Sequence, residues 1–267
     1  MGFYEYKCGD RHYLKSSLLP ENEVVHGFTS AQGGVSRGRI CGFNLGFRVK
    51  DDECAVRENY RLLAEDLGIS LDRTVLAKQT HTRNIRIVTE ADAGKGIVRD
   101  SDIEDTDGLV CNIESMALVV FSADCIPILL YDRERRVIAA VHSGWRGTVQ
   151  RIGAAAVEVM EKEFGSKASD IAAAIGPGIG PCCFEFGSDA PEYFERKYLT
   201  EREDGKFLAD IWRMNRDILI QSGLEPQNID LSGVCTVCNS DKYYSYRTHK
   251  DRTGRQAAVI MLRTRGF

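Results

Sequence analysis

The chain reads as α/β (or α+β), a layered α/β sandwich with mixed sheets, and three features predict this. Residues 117–121, 126–131 and 137–141 are continuous apolar runs of strand length, the pattern of strands buried on both faces. Segments with apolar residues at helical spacing alternate irregularly with such runs, as when helices cover a sheet. The second and third runs are joined only by Asp132-Arg133-Glu134-Arg135-Arg136. A hairpin that tight makes at least one pair antiparallel, so the sheet is mixed.

Taken in order, Asp51-Asp52-Glu53 opens a helix with carboxylates where the N-terminal dipole favours them. Val56, Tyr60, Leu63 and Leu67 continue it at helical spacing, and Gly68 ends it. Residues 74–77 and 85–88 are short β-branched runs, strands on either side of the polar turn Gln79-Thr80-His81-Thr82-Arg83. Beyond the hairpin, Val149, Ile152, Ala156, Val159 and Phe164 mark a helix over 148–164, terminated by Gly165. Residues 171–175 form another buried strand, which runs into Gly176-Pro177-Gly178-Ile179-Gly180-Pro181. Ser188 with Pro191 starts a short helix, and Ile211, Met214, Ile218 and Leu219 a further one, ended by Gly223. Residues 243–246 and 257–262 read as closing strands. No repeat or Pro/Ser-rich linker interrupts the chain, so residues 1–267 are expected to form a single domain.

Composition narrows the function. With 43% hydrophobic residues in 267, a chain of this size buries roughly three quarters of its unfolded surface and needs no disulfide or metal merely to fold. Thirty-five basic residues against thirty-nine acidic give a net charge of −4. That balance argues against nucleic acid as the main partner, which calls for a basic excess. No apolar run approaches the roughly 18–20 residues that span a bilayer, and the start Met1-Gly2-Phe3-Tyr4-Glu5-Tyr6 lacks a secretory pattern. A cytoplasmic location and no membrane partner are expected. The nine cysteines should then be reduced, most of them small buried apolar groups.

The hairpin brings chemistry together. A loop of two residues (133–134) or four (132–135) makes paired positions sum to 267. Cys125 then lies opposite His142, on one face, with Cα atoms about 4.5–5.5 Å apart. A thiol and an imidazole so placed can share a metal, and catalytic zinc commonly takes a third protein ligand. Of the histidines at 12, 26, 81, 142 and 249, His81 suits best, because it lies in a polar turn at a strand end. His12 and His26 lack a glycine turn, and His249 sits among polar residues of a solvated loop. The strand ends in His142-Ser143-Gly144-Trp145-Arg146-Gly147. A strand, a glycine turn, a helix start and an arginine suit a phosphate or carboxylate. Trp145 either stacks on a base or packs in the core. Cys235-Thr236-Val237-Cys238 is a C-x-x-C without a second pair, and Cys182-Cys183 reads as a packed turn.

Together these segments resemble the YfiH-like family, often labelled multicopper polyphenol oxidase or laccase-domain proteins. The resemblance runs through His26-Gly27-Phe28, Gly33-Gly34-Val35-Ser36, Phe43-Asn44-Leu45-Gly46, Gln79-Thr80-His81 and Thr106-Asp107-Gly108-Leu109. It continues through Ala123-Asp124-Cys125-Ile126-Pro127, His142 to Gly147, Ile175-Gly176-Pro177 through Cys182-Cys183, and Cys235-Thr236 through Cys238-Asn239. It ends with Ser245-Tyr246-Arg247 and Thr253-Gly254-Arg255-Gln256. The resemblance implies a YfiH/CNF-like fold and a zinc site of His81, Cys125 and His142. It implies phosphorolysis of adenosine, inosine and 5′-methylthioadenosine, with adenosine deaminase activity at the same site. Purine nucleosides and phosphate would be the partners, the chain a monomer or homodimer, and Asn44, Gln79 and Arg146 substrate-binding residues. The sequence departs from the family at Ala31, where an arginine is usual two places before Gly33-Gly34.

Asp124 is a candidate proton carrier among the catalytic residues His81, Cys125 and His142, although a continuing strand would turn its side chain to the face opposite Cys125. The copper chemistry of the laccase label fits poorly, since multicopper oxidation needs many histidines and this chain has five. One His/Cys/His metal suits Lewis-acid catalysis better. The alternatives are a cytoplasmic peptidoglycan-precursor editing hydrolase, in which a Cys/His pair serves as nucleophile and base, and a non-enzymatic binding module.

Overall fold

Neighbouring side chains along the central strands feed different cores. In the computed structural model, which describes residues 2–265, Leu118, Val120, Leu129, Tyr131, Ile138, Ala140 and Ile260 point into one core. Val119 and Val259 point into a second, and Ile128, Leu130, Ala139 and Val141 into a third. The switch from one residue to the next is the two-residue period of a strand. With both faces covered, the runs are apolar without alternation.

In chain order the elements are β1 (Phe3–Cys8), β2 (Arg11–Ser16), β3 (Val24–Thr29), α1 (Glu53–Leu67), β4 (Thr74–Leu76), β5 (Ile85–Ile87), β6 (Gly108–Cys111), β7 (Ala117–Ser122), β8 (Ile126–Asp132) and β9 (Val137–Ser143). They continue with α2 (Trp145–Val149), α3 (Ile152–Phe164), β10 (Ile171–Ile175), β11 (Glu185–Phe186), β12 (Leu199–Glu201), β13 (Phe207–Ala209), α4 (Ile211–Gln221), β14 (Ile229–Leu231), α5 (Tyr246–His249) and β15 (Gln256–Leu262). One sheet runs β1-β2-β3-β15-β7-β4, the other β14-β10-β8-β9-β6-β5, and a small one β11-β13-β12. Both large sheets are mixed: β4 with β7, β5 with β6 and β10 with β14 are parallel, and the remaining pairs antiparallel. Helix α1 covers the first sheet through Val56, Tyr60 and Leu63. Helices α3 and α4 cover the second through Ile152, Met160, Ile211 and Ile218. The result is a helix–sheet–sheet–helix sandwich. No helix among the described residues is long and apolar enough to cross a membrane.

Helix α1 starts and stops where the sequence predicts: the Asp52 side chain accepts from the Cys54 N–H, and Gly68 takes the left-handed conformation at φ 65°. Three expectations are corrected. The helix expected over 148–164 is two helices, broken at Arg151, whose φ of 63° no continuous right-handed helix contains. Residues 243–246 are not a strand. The Ser245 hydroxyl accepts from the Thr248 N–H and caps α5, so a capping bond prevails over aromatic strand propensity. The hairpin pairs Ile126 with Ser143 and Pro127 with His142, positions that sum to 269. The Asp132 carboxylate accepts from the N–H groups of Glu134 and Arg135, which closes the turn after Asp132. Pro127, not Cys125, faces His142. A slip of two residues keeps the face, so Cys125 remains beside that histidine.

Candidate functional site

Three donors meet where β8 begins and β9 ends. Cys125 directly precedes β8, His142 is the second-last residue of β9, and His81 lies in the loop from β4 to β5. One donor atom from each falls within 4.8 Å of the others. Cys125 Sγ is 3.7 Å from His81 Nε2, and the two imidazoles meet edge to face with centroids 5.1 Å apart. Gly144 leaves them room, since a Cβ there would stand 2.6 Å from His81 Cδ2 and 3.2 Å from Cys125 Sγ.

Asp107, the residue directly ahead of β6, holds both histidines. Its carboxylate accepts backbone N–H groups from Thr80 (3.2 Å), His81 (3.0 Å) and Thr82 (2.7 Å), and the Thr82 hydroxyl at 2.8 Å. These bonds secure a loop in which His81 has a left-handed φ of 66°. The same carboxylate lies 2.8 Å from His142 Nδ1. That bond places the proton of the neutral His142 ring on Nδ1, so Nε2 is the nitrogen available to a metal, the usual second contact of a metal-binding histidine. Burial raises the Asp107 carboxyl, but His142 and the Thr82 N–H outweigh it and bring it to about 2.

Cys125 and His142 charge each other. Burial pushes the Cys125 thiol up, yet His142 and His81 pull it down to about 6. Burial pulls the His142 imidazole down, yet Cys125 and Asp107 raise it to about 9. The site therefore favours a thiolate, the form a metal requires. Two imidazoles and one thiolate could hold a metal ion, and a set of three leaves room for a further ligand, as in catalytic zinc sites.

The donors border a cavity of about 430 Å³, within the range that takes a small ligand. Phe47, Phe121, Trp145 and Phe184 supply apolar wall, and Arg48, Lys78, Arg247 and Arg255 supply positive charge. Lys78 is paired with Glu104 at 2.6 Å. The Arg255 guanidinium is bonded only to the carbonyls of Thr253 and Gly254 among the described residues. Gly46 admits it, since a Cβ there would stand 2.7 Å from Arg255 Cγ.

The other residues named from sequence are dispersed. Asp124 borders the cavity but lies ahead of β8 at φ 90°. Its carboxylate accepts the Thr236 hydroxyl (2.7 Å) and the Arg247 N–H (2.6 Å). Gln79 borders the cavity too, and its amide exchanges hydrogen bonds with the Phe121 backbone at 2.7 and 2.8 Å. Asn44 is buried behind the wall, where its side-chain oxygen accepts from the Gly46 and Arg255 N–H groups. Arg146 does not line the cavity. It is exposed, with its guanidinium 4.5 Å from the Trp145 ring centre. One step along a helix turns the side chain by about 100°, so Trp145 faces the cavity and Arg146 leaves it.

Sequence reasoning missed the role of Asp107, and of Arg247 and Arg255 on the cavity wall. No periodicity announces them. It also kept Cys182-Cys183 apart from Cys235 and Cys238, whereas one sulfur from each of the four lies within 4.8 Å of the others.

Residues 25–263 match the family model described as "Multi-copper polyphenol oxidoreductase laccase". The chain is 32% identical to "Purine nucleoside phosphorylase YlmD" of Bacillus subtilis over 89% of its own length and 88% of that protein's. It is 33% identical to "Adenosine deaminase RL5" of an unknown prokaryotic organism, over 87% of this chain and 92% of the relative. Among solved structures, the Bacillus licheniformis hypothetical protein YfiH superposes with a TM-score of 0.91 at 30% identity. That alignment covers 98% of this chain and 99% of the other.

Proposed function

We propose, for a chain that belongs to the multi-copper polyphenol oxidoreductase laccase family, that it is a zinc-dependent purine nucleoside phosphorylase with adenosine deaminase activity at the same site. The observation that carries this reading is the His81/Cys125/His142 donor set, oriented by Asp107, on the border of a cavity with aromatic and cationic walls. Relatives named for both activities align over most of the chain.

In this reading His81, Cys125 and His142 hold the metal, which when bound supplies Lewis acidity toward an oxygen nucleophile. Trp145, Phe121 and Phe47 offer aromatic surface for a purine. Arg255 and Arg247 hold the phosphate in place of Arg146, because they line the cavity and it does not. Asp124 secures Arg247 through the backbone and spends its carboxylate on that contact. Gln79 fixes Phe121 at the cavity border, and Asn44 fixes Arg255 from behind the wall. Adenosine, inosine and 5′-methylthioadenosine are the expected substrates.

Phosphorolysis breaks the bond from ribose to purine and joins the ribose carbon to a phosphate oxygen; the departing base takes up a proton. Incubating the purified protein with adenosine or inosine and phosphate should release free base and ribose 1-phosphate, and adenosine should also yield inosine. Absence of both reactions in zinc-replete protein would overturn the reading.

A further inference from the structure

We propose that Cys182, Cys183, Cys235 and Cys238 form a second metal site, a closed tetrathiolate that binds zinc and staples the cavity wall. One sulfur from each lies within 4.8 Å of every other. Cys238 Sγ is 3.5 Å from Cys182 Sγ and 3.4 Å from Cys183 Sγ. These separations exceed a disulfide bond of about 2.05 Å, and all four thiols are free. Four sulfurs arranged tetrahedrally about zinc, at about 2.3 Å each, would be roughly 3.8 Å apart. The observed contacts and the 4.8 Å limit bracket that edge. So small a cluster suits one ion and leaves no room for a multi-iron core. Soft thiolates select zinc over the hard cations.

The backbone prepares the site. Cys235 is joined to Gly178 by a β-bridge, the Thr236 N–H donates to the Gly178 carbonyl at 3.0 Å, and the Gly180 N–H points at Cys235 Sγ at 3.3 Å. An N–H directed at a ligating sulfur spreads its negative charge and fixes its orientation. The C-x-x-C turn is closed by the Asn239 N–H on the Cys235 carbonyl at 3.1 Å, and the facing turn by the Cys183 N–H on the Gly180 carbonyl at 3.0 Å. Gly180 also needs to be small, because a Cβ there would meet Cys235 Cβ at 3.2 Å and the Trp212 ring at 2.8 Å.

The two turns are 52 or more residues apart in sequence: one carries the cavity residues Ile179 and Phe184, and the other carries Thr236, whose hydroxyl holds the cavity residue Asp124 beside Cys125. An ion tying them would close a long loop and hold the wall in register. The four sulfurs are distinct from the His81/Cys125/His142 donors, so the sites can be tested apart.

The test uses full-length protein purified in reductant without chelator, in a Cys125→Ser background that weakens the first site. Zinc should remain at one per chain and disappear on adding Cys238→Ser. Cobalt loaded into the Cys125→Ser protein should give the intense thiolate charge-transfer absorption of a four-sulfur site. In unmutated protein a strong chelator should raise the rate at which Cys182, Cys183 and Cys238 react with an alkylating reagent by at least tenfold, and lower the Tm. This measurement does not depend on whether a variant folds. Zinc-free Cys125→Ser protein whose four thiols alkylate at the same rate with or without chelator would overturn the proposal. So would a disulfide among them in reductant, or iron in place of zinc. Failure of nucleoside turnover alone would bear on the first site and leave this one standing.

Discussion

The Asp107 carboxylate stands 2.8 Å from His142 Nδ1 while accepting the His81 N–H at 3.0 Å. One buried anion therefore sets the orientation of one histidine ring and the backbone of the other. Replacing Asp107 with Asn keeps the shape and removes the charge. Zinc affinity should fall about 10- to 100-fold, measurable by competition with a chromophoric chelator. An unchanged affinity would reduce Asp107 to a loop brace.

Removal of the metal should abolish both reactions together. If Lewis acidity supplies several kcal/mol to the transition state, chelation should lower phosphorolysis and deamination by at least about a hundredfold, and added zinc should restore them in parallel. Cys125→Ser should do the same with reduced zinc content. A folded Cys125→Ser protein that keeps full zinc and loses turnover would favour a thiol nucleophile.

Gly144 isolates a steric demand. It adopts φ −68° and ψ 166°, a conformation open to alanine, so Gly144→Ala adds little backbone strain. The new methyl must displace the His81 ring or the Cys125 sulfur. Overpacking of this kind costs about 1–3 kcal/mol, which should appear as weaker zinc binding with a nearly unchanged Tm in the apo protein. A variant that binds zinc as wild type would show that the His81 loop yields freely.

The arginines separate what was legible in the sequence from what was not. Arg146 follows a strand and a glycine turn, a local signal for an anion site, but the helix carries it to the outside. Arg255 reaches the cavity from the residue ahead of β15, in the other sheet, and Asn44 holds it across a separation of 211 residues. No local pattern reveals such a contact. The buried strands were legible for the opposite reason: both faces are covered, so their apolar runs need no partner to be recognised. Spacing predicts the hairpin with the right parity and the wrong loop, because the Asp132 carboxylate closes a turn over residues 133–136 through bonds that spacing does not show. Cys182-Cys183 reads as a packed turn because the C-x-x-C that joins it in space begins 52 residues further along the chain. If Arg255 holds phosphate, Arg255→Ala should raise the phosphate KM about 10- to 100-fold, as expected for a lost charged hydrogen bond, while Arg146→Ala should leave it within about threefold. The reverse ranking in steady-state kinetics would return the anion to Arg146.

His26 should govern part of the acid limb of stability. It is fully buried in β3, and its Nε2 accepts the Ser16 N–H at 3.0 Å, which requires the neutral ring. Burial first, and then the Lys15 charge, lower it from 6.5 to about 4. The unfolded chain thus binds a proton below pH 6.5 that the folded chain refuses until about pH 4. Stability rises with pH wherever the unfolded state holds more protons. The contribution is complete above the unfolded value and is lost as pH falls through the folded one. Each pKa unit corresponds to about 1.4 kcal/mol, so the loss between these limits is on the order of 3 kcal/mol. His26→Gln supplies an acceptor for the Ser16 N–H without titrating. Its urea midpoint should be lower than wild type at pH 7 and should fall less steeply between pH 6.5 and 4. Parallel pH profiles for the two proteins would show that His26 does not contribute to acid unfolding.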